Sequence, residues 1–122
     1  MHWQVTCYEQ LNVAIHAVYR ALEEELDRSV SPAVAQVWQT VGVHLRRADV
    51  LSAELKEMGV DMTGTMSQAT SSYIDAIRSA ARRDEETGGA RLLAHLHARF
   101  MADLLDAQVR GRRRRARAPI PC

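Results

Sequence analysis

At 122 residues with a formal charge of +1, the chain has the length of a single domain with one apolar core, and it is small for an enzyme that must enclose a large ligand. Its 47% hydrophobic and 5% aromatic content, with only three prolines, is that of a helical globular protein; no apolar run approaches the roughly 20 residues that cross a bilayer. Cys7 and Cys122 form neither a C-x-x-C pair nor a zinc spacing, and the opening MHWQVTCYEQ has no targeting pattern, so a reduced, cytoplasmic protein without a structural metal is expected.

Residues 1–7 read as a short non-periodic lead. The first predicted helix covers residues 8–27, where Leu11, Ile15, Val18, Leu22 and Leu26 recur at the 3–4 spacing of one helical face. Glu23, Glu24 and Glu25 near its C-terminal end gain nothing from the helix dipole, so a solvated role is expected for them. Ser31 before Pro32 has the pattern of an N-cap followed by proline in the first turn. A second helical region follows over residues 33–58, with Gly42 as the place where it would bend or divide and Gly59 as its stop.

The polar stretch GVDMTGTMSQAT is a connection, and SSYIDAIRSAARR resumes helical spacing through Tyr73, Ile77 and Ala80 before DEETGG closes that element. The last helix covers residues 91–109, with Leu92, Leu93, Leu96, Phe100, Leu104 and Val109 as its apolar positions. The Leu11, Ile15, Val18, Leu22 stripe is expected to pack on Leu93, Leu96 and Phe100. His95 and His97, two residues apart, diverge on a helix and cannot share a metal. Residues 110–122 carry six arginines and no acid, which leaves the first 109 residues at −5. The division expected is a helical domain over 1–109 and a basic, disordered tail over 110–122.

Four helical regions and no strand pattern predict an all-α bundle. YRALEEELDRS from Tyr19, the SP at Ser31 and Pro32, and LLAHLHARFMADLLDAQV from Leu92, in that order and spacing, resemble the heme oxygenase family. There a Tyr-x-Ala-Leu-Glu-Glu-Glu segment ends one core helix, and a later helix reads approximately Leu-x-Ala-His-x-Tyr-x-Arg-Tyr-Leu-Gly-Asp-Leu-Ser-Gly-Gly-Gln. Ala94, His95, Arg99, Asp103, Leu104 and Gln108 stand at matching positions.

The resemblance implies a helical heme oxygenase-like domain that cleaves heme to biliverdin, carbon monoxide and iron, using molecular oxygen and an external electron donor such as a ferredoxin or reductase. Heme would be both substrate and cofactor. It implies that Asp103 is the distal carboxylate that orders water beside the heme iron, that Arg99 pairs with it one turn earlier, and that Tyr19 joins them from the first helix. His95 matches a structural hydrogen-bonding position.

The chain departs from the family pattern at the heme-facing turn, where Ala102 replaces Gly and Leu105, Asp106 and Ala107 replace Ser-Gly-Gly. Glycine there allows close backbone approach to the porphyrin, whereas Asp106 adds a charged side chain. His97 and Phe100 replace two tyrosines. Ala102, Asp106, Ala107 and His97 are therefore the candidate cofactor-contacting positions. The family's axial His lies some 30 residues before the matching Tyr, while 18 residues precede Tyr19, so a domain truncated at both ends and without an assigned axial ligand is expected. Two other readings stand beside the enzymatic one. One is a non-catalytic heme-binding or interaction protein derived from the family, with self-association through exposed apolar surface. The other is a helical domain whose Arg tail binds nucleic acid, against which the tail's lack of aromatics and of a recognition motif argues.

Overall fold

The computed structural model describes the backbone of residues 2–62, 66–88 and 90–115 and the side chains within residues 9–62, 66–84 and 90–103. Its elements are α1 (His2–Arg28), α2 (Pro32–Leu45), α3 (Ala48–Glu57), α4 (Gln68–Thr87) and α5 (Ala90–Arg115), with no strand among the described residues. The protein is all-α. No described helix is long and apolar enough to cross a membrane.

α1 is the central element and touches each of the other four helices. On one side Val18, Ala21, Leu22 and Leu26 meet Val34 and Trp38 of α2, Ile74 and Ile77 of α4, and Leu92 and Leu96 of α5. On another, Tyr19 packs with Ala48 and Leu51 of α3, and Ile15 lies against them. A helix with neighbours on several sides buries more than one stripe, so the 3–4 reading of α1 captured only part of its core. Leu11, expected in the stripe, is 47% exposed, and so is Phe100 at 44%. The inner line of α5 runs through Leu92, Leu96, Arg99 and Asp103; at about 100° per residue, Phe100 stands roughly 80° round from Leu92 and turns outward.

The second helical region divides, but at Arg46 and Arg47 rather than at Gly42. Gly42 lies inside α2, where an added Cβ would come within 3.1 Å of the Trp38 ring, so its task is close packing under the indole. The break is fixed from outside. Arg47 provides no side-chain cap for α3; instead Glu23 of α1 accepts the backbone N–H groups of Arg47 and Ala48 at 3.0 and 2.9 Å. Glu23 is therefore buried and bonded, not solvated as expected. Beside it, Asp27 accepts from Trp38 Nε1 at 2.7 Å and from both terminal nitrogens of Arg46, whose guanidinium stacks 4.9 Å from the Trp38 ring centre.

Ser31 caps α2 as its sequence predicts, and its hydroxyl also donates to Gly88 O at 2.7 Å. At the end of α3, Gly59 at φ +71° accommodates the left-handed turn, with Gly59 N–H on Lys56 O and Val60 N–H on Leu55 O, both at 3.0 Å. Asp84 near the end of α4 accepts from Arg91 N at 3.1 Å and Leu92 N at 2.8 Å, which caps α5. Two boundaries differ from those read from sequence: α1 begins at His2, and α5 runs on to Arg115. Arginine is a strong helix former, so a charge run need not end a helix. Residues 116–122 lie outside the described residues.

Candidate functional site

Tyr19 and Asp103 are 84 positions apart in sequence, yet Tyr19 Oη donates to Asp103 Oδ2. The other carboxylate oxygen accepts from Arg99 Nη2 at 2.8 Å. Each element contributes for a local reason. Arg99 and Asp103 are one turn apart on α5 and share its inner line with Leu92 and Leu96, whose burial holds that face toward α1. Tyr19 is 4% exposed, its ring embedded against α3 and its hydroxyl directed at α5. The Arg99 and Asp103 side chains are each only 21% exposed, unlike an ordinary surface ion pair.

The group is incomplete as a hydrogen-bonding unit. Arg99 Nε is buried and has no hydrogen-bond partner. Leaving a buried donor unmade costs about 1–3 kcal/mol, so an acceptor, water or ligand oxygen, would be favoured there.

Two residues to which the sequence reading gave no part in the site, Arg47 and Glu23, support this arrangement. The Arg47 guanidinium lies 5.9 Å from the centre of the Tyr19 ring. Glu23 follows Tyr19 by one turn and fixes the start of α3 against which that ring packs. A sequence signal existed: a helix that starts at RRAD with no Ser, Thr, Asp or Asn at its cap needs an acceptor from elsewhere.

Of the four residues expected to meet a cofactor, Ala102 and His97 are exposed on α5, and His97 stands roughly 120° round the helix from Asp103 at about 100° per residue. The side chains of Asp106 and Ala107 lie outside those described. Phe100 and Met101 are both exposed, and at about 100° per residue Phe100 stands roughly 60° round α5 from Asp103 while Met101 stands roughly 160° away. His95 meets Tyr73 edge to face, with ring centres 6.1 Å apart. His16 is buried in α1, and that burial, reinforced by the Arg20 charge, holds its pKa below the ordinary imidazole value against the opposing pull of Glu23 and Asp49. Among the described residues no three His, Cys, Asp or Glu side chains converge on a metal site.

The family model described as heme oxygenase matches residues 2–118. The chain is 31% identical over 109 residues to a heme oxygenase of Takifugu rubripes, a match covering 86% of this chain and 37% of that protein. It is 30% identical over 105 residues to heme oxygenase 2 of Mus musculus and, equally, of Rattus norvegicus, covering 84% of this chain and 32% of each relative. The chain thus spans about a third of the length of the curated relatives it matches. No solved structure matches it significantly.

Proposed function

The chain belongs to the heme oxygenase family, and on that premise we propose that it takes part in the oxidative cleavage of heme to biliverdin, carbon monoxide and iron. The observation that carries this reading is the convergence of Tyr19, Arg99 and Asp103 across the α1–α5 contact. Heme is the substrate and supplies the redox-active iron; a ferredoxin or reductase supplies the electrons, and the reaction is placed in the cytoplasm.

In this reading the protein's contribution is to position protons. Arg99 compensates the Asp103 charge, and the Tyr19 hydroxyl fixes the carboxylate rotamer, so that the Asp103 carboxylate is held in one orientation for ordering water at the α5 surface. The buried Arg99 Nε offers a further donor to that water. The apolar side of the site is α5 itself, where exposed Phe100 stands roughly 60° round the helix from Asp103, at about 100° per residue, and suits the edge of a porphyrin. Asp106 and Ala107 continue the heme-facing turn, and His97 stands at its margin.

The test is an absorbance titration with hemin followed by biliverdin measurement under a reductant, with catalase present to remove free peroxide. Asp103→Ala is expected to lower biliverdin yield at least about tenfold, the loss of roughly 1.4 kcal/mol of barrier stabilisation, with hemin affinity held within about threefold. Hemin binding without biliverdin, in the unsubstituted chain, would favour a heme-binding protein that does not turn over. Biliverdin production indifferent to Asp103 would remove the assignment of the network.

A further inference from the structure

A cavity of about 420 Å³ opens at the far end of the bundle from the Tyr19 group, between the end of α1, the start of α2 and the last turns of α4. Arg28 on the cavity wall lies nine positions along α1 from Tyr19, about 14 Å at 1.5 Å per residue, so this is a separate place on the molecule. The volume falls in the range of small-molecule sites, about 300–1,000 Å³.

Among the described residues its lining includes three arginines, Arg28, Arg78 and Arg82, and two acidic residues, Glu25 and Asp84. Both carboxylates are already engaged. Asp84 gives both oxygens to the first N–H groups of α5, and Glu25 lies 3.9 Å from Arg28. Arg78 and Arg82, one turn apart on α4, have no ion-pair partner among the described residues. The wall also holds the Ser29 hydroxyl, which accepts the Ser31 N–H at 3.2 Å and keeps its own hydrogen to donate. Ala81 and Leu92 give the cavity an apolar part.

We propose that this cavity binds a phosphate group carried by a small organic molecule, with Arg78, Arg82 and Ser29 as its donors. The donor set selects the anion. One guanidinium in bidentate contact suffices for a planar carboxylate, whereas two guanidiniums on successive turns with a hydroxyl match the three oxygens and the higher charge of a phosphate monoester. The apolar part accommodates the organic portion, and the volume exceeds what inorganic phosphate alone would fill.

The site is tested on the full chain with phenyl phosphate as probe, inorganic phosphate and benzoate as comparisons, and backbone amide shifts by NMR as the readout. Phenyl phosphate should bind more tightly than either comparison, with shifts concentrated at Ser29, Ser31 and Arg82. Arg78→Gln and Arg82→Gln should each weaken it roughly ten- to hundredfold, the range for a lost hydrogen bond to a charged group, while Arg82→Lys restores part of the loss. Both positions are exposed, so the variants should keep the parent's unfolding midpoint. Equal binding of benzoate overturns the phosphate assignment. Equal binding of inorganic phosphate removes the organic part of it. Undiminished binding in the Arg78→Gln, Arg82→Gln double variant, with shifts in residues 110–115, assigns the anion to the basic end of α5. Displacement of phenyl phosphate by one equivalent of hemin overturns the separation of this cavity from the Tyr19 group.

Discussion

Replacing Glu23 by alanine should destabilise the fold more than its place in a run of three glutamates suggests. The carboxylate is 7% exposed and accepts the two N–H groups that open α3. Loss of a helix cap costs about 0.5–2 kcal/mol, and leaving a buried N–H unpaired costs about 1–3 kcal/mol. Ala48 N lies in a buried region, whereas Arg47 N is partly accessible to water, so a total of roughly 2–4 kcal/mol is expected. With an unfolding entropy of about 2.1 cal/mol/K per residue, a chain of 122 residues should lose about 8–16 °C in Tm. Glu23→Gln keeps one oxygen acceptor and loses only the charge at the start of α3, so about 1 kcal/mol should go. Urea unfolding followed by circular dichroism, with thermal melts alongside, measures both. Equal losses in the two variants, or a loss below about 0.5 kcal/mol in Glu23→Ala, typical of a solvated surface side chain, would refute the claim that α1 caps α3.

Gly42→Ala should destabilise by about 1 kcal/mol despite alanine's better helix propensity, because the Cβ meets a Trp38 ring pinned by Asp27 and Arg46 and cannot be relieved by a free rotation; tryptophan fluorescence in urea titrations reads this directly. The hydrogen bond from Arg46, helped by that from Trp38, holds the Asp27 carboxyl below its ordinary pKa. Its contribution is present above the ordinary carboxylate pKa and is lost as pH falls below about 4 toward the folded value, so the stability gap between the parent and Asp27→Asn should narrow as pH falls below about 4, measured as urea midpoints. His16 has the opposite chemistry and the same direction: a neutral imidazole favoured by burial stabilises fully above its ordinary pKa, and falling pH below about 6.5 draws the protein toward unfolding. His16→Gln should flatten stability between pH 7.5 and pH 5.5, and an unchanged slope in that window would assign it to other groups.

The parts of this architecture legible in the sequence are those that local chemistry determines. Ser31 before Pro32, Gly59 after Glu57 and the 3–4 spacing of Val18, Leu22 and Leu26 specify a cap, a stop and a buried face without reference to the rest of the chain. That Tyr19 meets Arg99 and Asp103 was expected from resemblance alone, since no local rule joins positions 84 apart. What escaped was contributed across helices. Glu23 looks solvated until α3 is placed against it, Gly42 looks like a hinge until the Trp38 ring covers it, and Phe100 looks like core until the α5 line through Arg99 and Asp103 is seen to face inward. The cavity at Arg78 and Arg82 is invisible for the same reason, being made by the ends of separate elements.

The hydrogen bond between Tyr19 and Asp103 also has a consequence for synthesis on the ribosome. Its donor is translated early and its acceptor 84 residues later. At about 5–20 residues per second, several seconds pass in which α1 is available to fold while its α5 partner does not yet exist. During that interval the Tyr19 hydroxyl has only water or a passing acceptor. A polypeptide interrupted anywhere before Asp103 therefore lacks the network entirely, so the nascent chain acquires it in one late step, once α5 can dock.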